Sequence, residues 1–233
     1  MKHLQKTILL ISIIFLSSCE KKLSELEYEK NVMTQIFPSL IDSTCVDTRI
    51  FSNPPPLYGE YITDKEGHVS VDTTKATDKQ RYKLEEWKKN LAEIEKDTSK
   101  IIVAFEPLIR QSRERMDEGF EKHFSGKKIS HSKLKDTLKY KLDFEKIKLN
   151  HKFKLKNISE FPKERDAIWN TKYSFVFSGI VYFTRIQFDK DKTCGILDAG
   201  FVCGRLCGQG FRIFIKKVNQ NWVIDKIDGT WIS

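Results

Sequence analysis

The sequence predicts an α+β fold, with N-terminal helices packed on a C-terminal antiparallel meander of about four strands. Segment 173–233 carries runs rich in Phe, Val, Ile and Tyr, separated by short turn-like connections that join antiparallel neighbours. Upstream, apolar residues recur at helical spacing over 23–37 and again over 84–94. A chain of 233 residues with 39% hydrophobic and 31% charged residues has the composition of a folded domain.

The elements follow in order. Leu23, Leu26, Met33, Ile36 and Phe37 suit one helical face, which Pro38 is expected to interrupt before a further short turn to Ser43. Pro54-Pro55-Pro56 exclude helix and favour a stiff extended linker. Tyr58 to Asp72 reads as a hairpin turning at Asp64-Lys65-Glu66-Gly67. Thr77 with Gln80 makes a capping box, and Leu84, Trp87, Leu91 and Ile94 repeat as the core face of the helix it opens. Ile101 to Phe105 is a β-branched strand ended by Pro107.

Residues 108–150 are polar, with Phe120 and Phe124, then Leu134, Leu138 and Leu142, at helical spacing. Lys152 to Ile158 alternates like a half-buried strand, and a helical turn is expected over Lys163 to Trp169. The meander comprises Tyr173–Phe188 with a bulge at Gly179, Thr193–Val202, Phe211–Val218 and Trp222–Ile227, with Trp231-Ile232 closing the sheet. The domain layout is then a signal peptide over 1–18, a helix and proline-rich linker over 19–57, and one α+β domain over 58–233. By architecture alone the order is similar to cystatin-like or nuclear-transport-factor-like folds, an analogy that implies no function.

The first eighteen residues have Lys2 and Lys6, then an apolar run from Ile8 to Leu16 that is far short of a membrane span, then Ser17 and Ser18 before Cys19. Leu16-Ser17-Ser18-Cys19 resembles the lipobox of bacterial lipoproteins. The resemblance implies cleavage before Cys19, lipid such as palmitate on its thiol, and a location in the cell envelope. The protein would then be held on a membrane by lipid, facing the periplasm. Glu20-Lys21-Lys22 differs from the acid-rich tags of surface-exposed lipoproteins. Two or more acyl chains hold a protein on a membrane stably, so no transmembrane helix is needed.

Apart from Cys19, the cysteines are Cys45, Cys194, Cys203 and Cys207. An even number in an oxidising compartment points to two disulfides. Cys203 and Cys207 flank a glycine-containing loop and form the expected close pair, which leaves Cys45 for Cys194. The run TCGILDAGFVCGRLCGQGFRIFIKKVNQNWVIDKIDGTWIS resembles the C-terminal end of uncharacterised lipoproteins of Bacteroidota that share a Cys-Gly-x-Leu-Cys-Gly loop. That resemblance implies no activity.

The formal charge of +9 falls to +7 when Lys2 and Lys6 leave with the signal, a surplus suited to an anionic envelope component or a protein partner. No nucleic-acid motif accompanies it. The sequence has no Gly-x-Ser-x-Gly elbow, phosphate loop or His-Glu-x-x-His, so no catalytic residue, metal or cofactor is expected. Asp189 and Asp191 read as solvated turn carboxylates. Two functions remain open: a non-enzymatic binding module, or an envelope hydrolase or redox enzyme using the Cys203/Cys207 loop or the His123, His131 and His151 region.

Overall fold

Helix α1 (Glu25–Thr44) starts at a reciprocal cap, in which Ser24 Oγ accepts from Glu27 N–H while the Glu27 carboxylate accepts from Ser24 N–H at 3.0 Å. In the computed structural model, residues 24–51, 53–130, 139–149, 152–164 and 166–233 are described. The signal segment, the lipobox with Cys19, Leu134, Leu138, His131 and His151 lie outside the described residues. Contrary to expectation, α1 continues through Pro38. Val32, Met33, Ile36, Phe37, Leu40 and Ile41 form an unbroken buried stripe across that point. A proline inside a helix costs about 3 kcal/mol, whereas each large side chain buried contributes about 1.5–3 kcal/mol, so packing wins.

After the single turn α2 (Thr48–Phe51), residues 54–57 carry no helix or strand, as three prolines require. Strands β1 (Glu60–Thr63) and β2 (Val69–Asp72) pair as the expected hairpin. Its turn is tied by Asp64 Oδ1, which accepts from the Glu66 and His68 amides. Helix α3 (Asp78–Lys96) opens at the Thr77–Gln80 capping box. Its apolar face differs from expectation. Leu84, Trp87, Leu91 and Ile94 are only half-buried, because the excursion from the hairpin to α3 rests against little of the fold. Trp87 is fixed through its indole N–H, which donates to Asn53 O at 2.8 Å.

The main sheet has seven strands and is larger than the expected meander. Strand β3 (Ile101–Phe105) is followed by the small pair β4 (Leu108–Ile109) and β5 (Tyr140–Lys141), which flank helix α4 (Asp117–His123). Strand β6 (Phe153–Asn157) and the turn α5 (Ala167–Asn170) precede the C-terminal strands. These are β7 (Phe177–Phe183), β8 (Gln187–Phe188), β9 (Cys194–Gly204), β10 (Cys207–Val218) and β11 (Asn221–Ile232). The order is β11-β10-β9-β7-β3-β6, with β8 also on β9. The C-terminal strands are antiparallel as expected, while β3 joins both β6 and β7 in parallel. Strand β3 is buried at every residue, the pattern of a parallel strand covered on both faces.

One sheet face carries α1. Phe105, Phe183, Leu197, Phe201, Ile213 and Ile215 meet the α1 stripe in a single core, so α1 belongs to the sheet domain and is not separated from it at residue 57. Among the described residues, the other face is covered at two places. Met116, Phe120 and Ile129 cover Ile196 and Phe214, and Phe161 and Ile168 cover Ile102 and Ala104. Between these covers, towards β11, the sheet lies open.

The cysteines divide between the faces. Cys203 and Cys207 form the expected disulfide across the β9–β10 turn. The expected Cys45–Cys194 bridge is not made, and both thiols are free and buried. Cys45 caps α1 in the first-face core, whereas Cys194 packs with Phe120, Ile196 and Phe214 on the second face. The sheet stands between them, because alternate residues of a strand point to opposite faces.

Candidate functional site

The open part of the second face is built on one row of paired residues. Tyr182 of β7 pairs with Gly200 of β9, Gly200 with Gly210 of β10, and Gly210 with Trp231 of β11. The two glycines let the two aromatic rings fold inwards over the strands. A methyl group at Gly200 would collide with the Tyr182 ring, and one at Gly210 with the Trp231 indole. Glycine inside a strand marks this kind of close approach. Tyr182 remains 37% exposed and Trp231 36% exposed, so the rings form the floor of a surface depression. Among the described residues, neither the Tyr182 hydroxyl nor the Trp231 indole N–H makes a hydrogen bond.

Beside this row lies a fixed polar network. Asp198 Oδ1 accepts from Arg212 Nε at 3.0 Å, its other oxygen accepts from Ser112 Oγ at 2.8 Å, and Arg212 Nη2 reaches Glu114 at 3.0 Å. Burial, with the negative charges of Asp198 and Glu114, raises the Tyr182 phenol above its ordinary value, so it remains a neutral donor. The depression over Tyr182, Asp198 and Trp231 encloses about 340 Å³. It shares Thr230 with a groove of about 550 Å³ that runs past Arg212 to Arg115, Lys122 and His123 on the α4 side.

Of the histidines selected from the sequence, His123 is the one among the described residues, and it lies in this region. Its Nε2 lies 2.8 Å from Asp225 Oδ2, while Lys216 holds Asp225 Oδ1 at 2.6 Å. A bulge in β11 supplies the geometry: Phe214 pairs with Lys226 and Ile215 with Ile224, so Asp225 is the extra residue. Lys216 chiefly, and His123 with it, hold the Asp225 carboxyl below its usual range. The imidazole is packed 4.4 Å from the Phe214 ring and 4.5 Å from the Phe124 ring. This is a clamped histidine. Its carboxylate is already neutralised by a lysine.

The remaining sequence candidates are dispersed. The Cys203–Cys207 bridge closes a strand turn, and no histidine joins it in a metal-capable group among the described residues. The metal-capable group found there, Asp64, Glu66 and His68, is exposed at the hairpin turn and bound up in its own hydrogen bonds. Asp191 is exposed as expected, but Asp189 is 4% exposed. It folds back on its own turn, accepting from Thr193 N–H at 2.7 Å, Cys194 N–H at 2.9 Å and Lys127 Nζ at 2.9 Å. A turn carboxylate can be buried when local amides supply its partners.

A separate cavity of about 170 Å³ lies at the start of α1, between Tyr28, Glu29, Arg185 and Phe188. Sequence reasoning passed over Glu29, Arg185 and the Tyr182–Trp231 row. The available signals were a carboxylate on the apolar stripe of α1 and glycines recurring at 200, 208 and 210 within strands. Comparison with protein-family models, curated proteins and solved structures gives no match for this chain.

Proposed function

We propose that this protein is a lipid-anchored, non-enzymatic binding module of the bacterial cell envelope, working through the groove on the open face of its sheet. The observation that carries the reading is the row Tyr182–Gly200–Gly210–Trp231, in which two partly exposed rings are held in place beside a preformed Asp198–Arg212–Glu114 network. Flat aromatic faces with a few fixed polar groups are the means of a binding site that orients a ligand without reacting with it. The clamped state of His123, between two phenylalanines and on an ion-paired carboxylate, favours binding over acid–base chemistry.

Anchoring rests on Leu16-Ser17-Ser18-Cys19 following a basic and then an apolar segment. No helix among the described residues is long and apolar enough to cross a membrane, so lipid on Cys19 would be the means of attachment through this part of the chain. Metabolic labelling with palmitate tests it. The native chain should carry label and sediment with membranes, and Cys19→Ala should lose the label and leave the membrane fraction. Label retained by Cys19→Ala would defeat the anchoring claim.

A further inference from the structure

We propose that the groove binds a glycan chain bearing acidic groups, with sugar rings stacked on Tyr182 and Trp231 and acid groups directed towards Arg115 and Lys122. The inference rests on the reading of this face as a binding surface and names the ligand class it takes.

Each aromatic ring lies against the strand beside it because that strand has glycine at the facing position, with the Tyr182 phenol end over Gly200 and the Trp231 pyrrole edge over Gly210, and each keeps over a third of its surface exposed. Sugars offer the complementary surface, a patch of C–H groups on one side of a ring with hydroxyls around the rim. The strand spacing of about 4.8 Å places the outer strands of the row about 14 Å apart, room for adjoining sugar units once the rings fold inwards.

The polar groups around the rings suit hydroxyls. Tyr182 Oη and Trp231 Nε1 are two polar tips at the floor. Asp198, Arg212 and Glu114 are joined in one hydrogen-bonded network, with Ser112 Oγ donating to Asp198. Planar carboxylate and guanidinium groups hold neighbouring hydroxyls bidentately, and here they are oriented before any ligand arrives. A proline-rich peptide also stacks on aromatic rings, but it offers carbonyls and no donors, and leaves Asp198 and Glu114 without new partners.

The charge of the far end fixes the kind of glycan. Arg212 is neutralised within the network and Lys226 pairs with Asp228 at 2.9 Å. Arg115 and Lys122 line the 550 Å³ groove with no ion-pair partner within 4.0 Å among the described residues, and Glu118 is the one carboxylate lining it that is likewise unpaired. A chain leaving the aromatic floor by way of Thr230 therefore meets cations.

The test uses the full chain, purified in a detergent without a sugar headgroup and titrated by calorimetry. Its probes are an oligogalacturonate, a neutral chito-oligosaccharide of equal length and a polyproline peptide. The oligogalacturonate should bind at least about tenfold more tightly than the neutral sugar, with affinity falling as salt rises. Trp231→Ala and Tyr182→Ala should each weaken it about tenfold, whereas Trp231→Phe, which keeps a ring on Gly210, should stay within about threefold of native. Lys122→Gln with Arg115→Gln should weaken the acidic probe and flatten its salt dependence, leaving the neutral sugar unchanged. Tyr61→Ala on the distant hairpin should change nothing. Binding of neither sugar, binding untouched by Trp231→Ala, equal affinity for both sugars, or preference for polyproline would each overturn the proposal. Palmitate labelling is indifferent to all of these, so a failure of the glycan assignment is separable from a failure of the anchor.

Discussion

Arg185 Nη2 lies 2.6 Å from the Glu29 carboxylate in a part of the core where the two residues are 6% and 2% exposed. The pair joins α1 to the break between β7 and β8, and Glu29 also accepts the Ile186 amide at 3.0 Å. Burial raises the Glu29 carboxyl above its usual value, and the bonds from Arg185 and Ile186 offset only part of that. Removing one partner strands a charge in the core. Glu29→Ala is expected to lower unfolding free energy by about 3–5 kcal/mol in urea titration, while Glu29→Leu with Arg185→Met recovers most of it.

Acid should act on the fold through Asp189. Burial pushes its carboxyl up, but the bonds from Cys194, Lys127 and Thr193 outweigh that and hold it below 3.8. A carboxyl depressed in the folded state contributes stability above its unfolded value and loses it as pH falls through the folded value. Melting temperature should therefore fall as pH drops below about 4, and Asp189→Asn should flatten that limb. Glu29 has the opposite sign. Its contribution is complete below 4.5 and is lost as pH rises through its raised value, so Glu29→Gln should remove that slope.

The glycines under the aromatic row should resist side chains. Gly210→Ala places a methyl group in the Trp231 indole and Gly200→Ala one in the Tyr182 ring. Each should cost about 1–3 kcal/mol, the range for overpacking, measured by urea denaturation. Pairing Gly210→Ala with Trp231→Ala should restore part of the loss, because the indole is gone while Thr230 Oγ1, 2.6 Å from the new methyl position, must still shift.

The thiols should separate into two classes. A reagent for free thiols should find Cys45 and Cys194 in the unfolded, unreduced chain and should find neither quickly in the native one, since both are buried. Burial raises the Cys45 thiol well above its usual value, slowing it further. Replacing Cys203 and Cys207 by Ser should cost only about 2 kcal/mol, the chain-entropy value for so short a loop. Recovery of a Cys45–Cys194 peptide after digestion would contradict the placement of those residues on opposite faces.

What the sequence made legible was local. The Thr77 helix start, the β1–β2 hairpin, β3 and the C-terminal strands each follow from a cap, a turn or an alternation contained within a few residues. What stayed hidden depends on residues distant in the chain. The course of α1 through Pro38 depends on a sheet that begins at Ile101. The parallel pairing of β3 with β6 and β7 has no turn signature. The Tyr182–Trp231 row needs three strand registers to be known together, and the bulge at Asp225 that meets His123 shifts one of them. Even parity alone would have separated Cys45 from Cys194, once α1 was assigned to one face.

The place of Glu29 has a mechanical meaning. A pull on the chain ahead of Ser24 enters α1 at its first turn and reaches Glu29 four residues after Glu25. Arg185 holds it to the interior of the sheet, next to β9, and not to an edge strand. Peeling the helix away must therefore part the buried ions before any of the apolar stripe is released. A buried joint is thus loaded ahead of the apolar stripe, so tension applied from the N-terminal side passes into the sheet at Arg185.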